Sequence, residues 1–196
     1  MTQYYKFLTP KRTGGHSSYK WPALGEWTLP IPESQPLIRY EVGYHVLTKE
    51  QLLGAYMQAT LFEVEVEDVE IEDADKMICR SARLIRQVDT WNDRTARLLA
   101  CDYLEALLPF WYTAYPNDQR PWQAIEVTRR FADGKATLDE VKDSWARARG
   151  WAWAAWAWGW AGAGAWAEKQ VLWRRARLAW YLFGGEELKI SEAPKP

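Results

Sequence analysis

A chain of 196 residues holds enough material for one large domain or two small ones. With 48% hydrophobic and 26% charged residues it has the composition of a soluble globular protein, not of a disordered or bilayer-embedded one. A net charge of -1 excludes an overall drive toward nucleic acid or an acidic membrane surface.

Residues 1–88 carry strand signals and are expected to form a small β-rich domain. Tyr4–Leu8 is a short aromatic strand, followed by a Gly/Ser/Pro/Lys loop over Thr9–Tyr19. Gly25–Pro30 reads as a second short strand closed by proline, and Pro36–Leu47 holds a third. Thr48, with Gln51 three positions on, matches a capping box and predicts a short helix over Lys49–Met57. Thr60–Val69 alternates, with Phe62, Val64 and Val66 on one face and Glu63, Glu65 and Glu67 on the other. That pattern predicts a half-buried strand with an acidic outer face. Met77–Val88 is a further strand candidate.

From Thr90 the apolar period becomes helical. Asn92 or Thr90 caps a helix expected to reach Phe110, with Ala96, Leu99, Tyr103, Leu107 and Leu108 among its apolar positions. Pro121 suits the first turn of the next helix, where its missing N–H costs nothing, and that helix stops at Asp133-Gly134. Thr137 and Glu140 repeat the capping-box pattern. The helix they open is expected to run on into Trp151–Trp166 (WAWAAWAWGWAGAGAW), either unbroken or with a break near Gly162–Gly164. Alanine is the best helix former and is depleted in strands, so this run is read as helix. At 3.6 residues per turn, Trp145, Trp153, Trp156 and Trp160 share one arc, while Trp166, Trp173 and Trp180 recur at heptad spacing, which favours packing against another helix. Gly150–Ala167 is long enough to approach a membrane span, but alanine and glycine contribute little transfer energy and tryptophan prefers the interface, so a membrane role is not expected. The fold class expected is α+β, a small β-rich N-terminal domain (1–88) before an Ala/Trp-rich antiparallel helical domain (89–184). A frayed tail (185–196) follows.

Two stretches resemble known families. Ala100-Cys101-Asp102, Glu105, Leu107-Leu108-Pro109, Pro116-Asn117-Asp118-Gln119-Arg120-Pro121, Ala124-Ile125-Glu126, Arg129 and Gly134 precede an Ala-rich aromatic helix. This arrangement resembles the helical immunity-protein family of bacterial toxin–immunity repertoires. Members of that family often carry histidines in these helices. No histidine follows His45 here, so the resemblance brings no histidine chemistry. Gly43-Tyr44-His45, Leu61–Val66 and Lys76–Val88 resemble a phage-associated β-rich domain of unknown function. Together they imply a phage or bacterial accessory protein rather than a metabolic enzyme.

Candidate residues follow. Asp118 is expected to cap the Pro121 helix while Arg120 reaches back to Asp102 or Glu105, a bidentate pair that arginine suits, giving a structural polar cluster. His45, and His16 in the Thr13–Ser18 loop with its backbone N–H groups, are candidates for ligand or phosphate contact. Trp151, Trp153, Trp156, Trp158 and Trp160 offer a partner-binding face, because indole combines large rigid area with an N–H donor. The eight acids between Glu63 and Asp75 suggest a second contact surface for a basic partner. Cys79 and Cys101 lack metal-type spacing and are expected to be buried, reduced thiols. The first fifteen residues lack the apolar core of a signal peptide, which points to a cytoplasmic protein.

No catalytic motif, metal site or cofactor motif stands out. The expected function is non-enzymatic: immunity or counter-defence by stoichiometric binding of a protein partner. Two alternatives stay open, a nucleotide-binding or ADP-ribosyltransferase-like small-ligand protein, and a structural protein self-assembling through its Trp-rich helices. Aromatic patches this rich mark interaction surfaces, so a homo-oligomer is expected, without nucleic acid.

Overall fold

The structure, a computed structural model, describes residues 3–14, 18–52, 57–150, 165–185 and 189–193. The chain divides by contact into two units, Met1–Asn92 and Asp93–Pro196. The first is built on an antiparallel sheet and the second on helices, so the fold class is α+β.

In the first unit, β1 (Tyr4–Leu8), β2 (Tyr44–Val46), β3 (Thr60–Glu72) and β4 (Met77–Gln87) form one sheet in the order β1-β3-β4-β2. A four-residue helix, α1 (Lys49–Leu52), follows β2. Its start is the capping box expected from Thr48 and Gln51: Gln51 Oε1 accepts the Thr48 N–H at 2.9 Å and Thr48 Oγ1 accepts the Gln51 N–H at 3.3 Å. β3 and β4 are long, and their register shifts at Glu63/Val64 and at Val69/Ile71. Such bulges bend strands and raise their twist. The sheet curls until Leu47, just past β2, exchanges backbone hydrogen bonds with Tyr5 of β1 at 2.8 and 2.9 Å. Its inner face buries Leu8, Trp21, Val46, Phe62, Val64, Met77, Cys79, Ala82 and Leu84. On the other face of β1, Tyr5 and Phe7 are buried, and Phe7 meets Trp91 edge-on at 5.8 Å.

Two sequence expectations need correction here. Gly25–Pro30 is not a ladder strand. It crosses the edge of β4 by alternate hydrogen bonds, Gly25 N–H to Leu84 O (2.8 Å), Thr28 N–H to Ala82 O (2.9 Å) and Ile31 N–H to Arg80 O (3.0 Å). The prolines there have no N–H to extend a ladder. The strand sought within Pro36–Leu47 shrinks to Tyr44–Val46, because Ile38–Val42 closes a turn with Tyr40 in the left-handed region at φ 68.

The acidic face of β3 also differs from expectation. It is not a bare negative surface, because β4 sets an arginine ladder against it. Arg86 pairs with Glu63, Arg83 with Glu65 at 2.7 Å, and Arg80 with Glu70, one Nη2 bond being 2.9 Å. Arg83 also lies over the Trp27 ring at 4.8 Å. Each pair has at least one partner open to solvent, so it stabilises little individually, but opposite charges across strands fix register.

The second unit contains α2 (Asp93–Glu105), α3 (Leu108–Ala114), α4 (Arg120–Ala132), α5 (Leu138–Arg147), α6 (Ala165–Phe183) and a 3-10 turn at Ile190–Glu192. Here α2 packs on α4 and α6, and α4 on α5. The helix expected to reach Phe110 ends at Glu105 instead, and Pro109 sits in the first turn of α3. A proline ring at that position would clash with the carbonyl four residues back, so the axis must restart. α4 closes as the sequence suggests. Gly134 adopts φ 71, its N–H reaches Phe131 O at 3.0 Å, and the Lys135 N–H reaches Arg130 O at 2.7 Å, a Schellman closure. Thr137 and Glu140 form a complete capping box on α5. α5 ends at Arg147 rather than continuing unbroken, and Arg149 and Gly150 are helical again after a turn at Ala148. Residues 151–164 lie outside the described residues, as does His16. Within the heptad-spaced set, Trp173 is buried with Ala106, just past the end of α2, as heptad packing implies. The tail is not frayed throughout: Ala193 buries itself against the same pair.

Gly43 has φ 132, and a Cβ there would lie 2.2 Å from Ile78 Cγ2. Gly43→Ala is therefore expected to cost about 2–4 kcal/mol in urea unfolding, through strain and overpacking together. Gly25→Ala, with open space around it, should cost only the roughly 1–2 kcal/mol of left-handed backbone.

Candidate functional site

The most constrained polar cluster lies inside the helical unit. Asp102, on the inner side of α2, is 2% exposed. Its Oδ1 accepts from Arg129 Nη2 of α4 at 2.6 Å. Its Oδ2 accepts from Arg177 Nε at 2.7 Å and from the Tyr181 hydroxyl at 2.9 Å, both on α6. Arg129 also pairs with Glu105, one turn along α2 from Asp102. Arg177 is itself 4% exposed and lies over the Trp180 ring at 4.6 Å. Two carboxylates and two guanidiniums thus neutralise one another. Burial, then the Asp102 charge and its hydrogen bond, push the Tyr181 phenol above its ordinary value, so it stays protonated and donates.

This geometry corrects the expected cluster. Arg120 does not reach Asp102 or Glu105. It folds back on Asp118, two residues away, with Nε–Oδ1 and Nη2–Oδ2 both at 2.8 Å. Hydrogen bonding from Arg120 brings the Asp118 carboxyl down to about 2. Asp118 Oδ1 also accepts the Arg120 backbone N–H at 3.1 Å, and Oδ2 accepts from Trp111 Nε1 at 3.2 Å. The residues that do reach Asp102 were not singled out as its partners. Arg129 stands among the residues of the family resemblance, and Arg177 and Tyr181 are separated from Asp102 by the tryptophan run. The only sequence signal was an arginine and a tyrosine four positions apart on a helix, which share a face.

In the sheet unit, His45 sits on β2. Its Nε2 accepts the Tyr40 N–H at 3.0 Å, and its ring stacks on that of Tyr40 at 6.3 Å and 18°. Burial, then the positive charges of Lys6 and Lys76, push it down to about 4, so it is neutral at pH 7. The nitrogen a general base would use is already engaged. Tyr40 in turn donates to Asp75 at 3.1 Å and carries Lys76 3.5 Å from its ring centre, while Arg39 bridges Asp73 (2.7 Å) and Asp75 (2.9 Å). The two cysteines are buried and outside any disulfide, and burial pushes Cys101 up to about 11 and Cys79 up to about 12. Neither is a ready nucleophile. Among the described residues no group of three or more His, Cys, Asp or Glu is placed to hold a metal ion, and no helix is long and apolar enough to cross a membrane.

Residues 86–155 match the family model described as "Imm-5 like putative immunity protein". The match runs from the end of β4 through α5 into the tryptophan run, and it includes Asp102, Glu105 and Arg129. No curated protein and no solved structure matches the chain.

Asp102→Asn is expected to cost roughly 3–5 kcal/mol in equilibrium unfolding, because it strands buried Arg177 without its counter-charge. Arg120→Ala, which removes only an exposed local pair, should leave the unfolding midpoint close to that of wild type. For His45 the unfolded chain binds its proton near 6.5 and the folded chain only near 4. The contribution of neutral His45 is therefore complete above 6.5 and lost as pH falls toward 4. Unfolding titrations across that window should show a shallower pH slope in His45→Gln than in wild type.

Proposed function

We propose that the helical unit is an immunity or counter-defence protein of phage or bacterial origin that neutralises a protein partner by stoichiometric binding, without turnover. The observation that carries this reading is the immunity-family match over residues 86–155. The packing around it agrees. A charge-balanced network ties α2, α4 and α6 together, and the thiol among those helices is unreactive. That is the make-up of a rigid scaffold that presents a surface.

The proposed contact surface is the tryptophan set Trp151, Trp153, Trp156, Trp158 and Trp160. Among the described residues, exposed aromatic area also lies at Trp122 on α4 and at Tyr115, just past α3. The acidic strand contributes less than its sequence suggests, since Glu63, Glu65 and Glu70 already have arginine partners. Tryptophan is enriched among interface residues whose truncation costs about 2 kcal/mol or more.

The test is protection of cells co-expressing a toxin domain from the same locus, with native mass spectrometry of the purified pair. A one-to-one complex is expected. Alanine at Trp153, Trp156 or Trp160 should weaken it by about 30-fold or more while thermal unfolding stays within a few degrees of wild type. Variants that lose the fold would put those rings in the core, and folded variants with full protection would move the contact elsewhere.

A further inference from the structure

Lys6 occupies an unusual place. β1 alternates Tyr4, Lys6 and Leu8 on the inner face of the sheet, and the register partner of Lys6 is buried Phe62. The ammonium donates to the His45 carbonyl at 2.6 Å and stands 5.6 Å from the centre of the Trp21 ring. Among the described residues no carboxylate forms an ion pair with it. Burial is the largest influence on it and brings its pKa down to about 8; of its electrostatic neighbours, Cys79 opposes that shift and the Lys76 charge adds to it. An ammonium has three donors, and one is used. Burying a charge with spare donors and no counter-ion is costly unless something else brings the opposite charge.

A cleft of about 310 Å³ opens over this side chain. Its walls include Trp21, Tyr19 and Tyr44, whose rings lie 5.5–6.5 Å from one another. The wall bearing Gln35 is held in place by Arg80, which donates to Pro32 O at 2.7 Å and Gln35 O at 2.9 Å. Glu41 stands at the exposed rim. The site is thus preformed, aromatic on its sides and cationic within. Its volume falls at the small end of ligand cavities, enough for one ring and too little for a dinucleotide.

We propose that this cleft binds a small planar ring carrying one anionic group, a carboxylate or a phosphate, with the anion on Lys6 and the ring against Trp21, Tyr19 and Tyr44. Glu41 at the rim disfavours polyanions. The proposal is independent of the immunity reading, because it concerns the sheet unit alone.

The experiment is calorimetric titration of the full chain with benzoate and phenyl phosphate as probes. Benzamide supplies the ring without charge, and acetate the charge without a ring. At least one of the two ring anions is expected to bind about tenfold tighter than benzamide and acetate, and the tighter of the pair identifies the anion. Lys6→Met should remove that preference while the fold and its melting temperature are kept or improved, since an uncompensated ammonium is gone. Tyr19→Ala, at a partly exposed position, should weaken both ring anions by several-fold and leave the acetate response unchanged. Benzoate and phenyl phosphate binding no better than benzamide would overturn the proposal, and so would undiminished anion binding by Lys6→Met. Should Lys6→Met not fold, the comparison of ring anions with benzamide on the wild-type chain still decides the matter.

Discussion

Asp102 is a buried carboxylate, and the helical unit is arranged to supply its counter-charges. Two guanidiniums and one phenol converge on its two oxygens from α4 and α6. Each partner lies far away in sequence, so the ionic contacts exist only once all three helices are docked. Apolar packing of Leu107, Leu108, Trp111 and Ile125 supplies burial without direction. The network adds direction, because a guanidinium one turn out of place would leave a charge desolvated and unpaired. The same balance accounts for Glu105: without it, the second arginine would leave the cluster net positive.

The sheet unit handles charge differently. Across β3 and β4, arginines and glutamates pair with at least one partner of each pair open to solvent, and the ladder mainly sets register. On its inner surface one lysine is left with a backbone carbonyl and an aromatic ring as its neighbours. Two treatments of charge on one sheet separate a face that is finished by folding from a cleft that folding leaves incomplete.

Local chemistry was legible in the sequence. Both capping boxes, the Gly134 stop and the alternation of β3 all arise from contacts a few residues apart, and each has its expected form. The α+β division was legible for the same reason, since period 2 gives way to period 3.6 near Thr90. What failed was long-range pairing. Nearness in sequence points from Arg120 to Asp102, whereas tertiary packing selects Arg129 and Arg177. Pro109 is hidden as a helix break because the apolar period runs through it. Acidic β3 looked like a free surface because nothing in a strand's own pattern names the residues of its neighbour. The role of Lys6 was invisible for a related reason, since a single lysine in an aromatic strand reads as exposed until the sheet's curl turns it inward.

The curl has one more consequence. β1 is covered by β3 on one side and touched by Leu47 on the other, while the outer edge of β4 is shared between β2 and the hydrogen bonds of the 25–31 segment. Unpaired main chain is concentrated on β3 after Val64, where β1 has ended and β4 alone remains its partner. Natural β proteins guard themselves against sheet-to-sheet aggregation by this kind of edge closure. It also narrows a common mode of recognition, in which a partner's extended segment is added to a host sheet, to that stretch of β3.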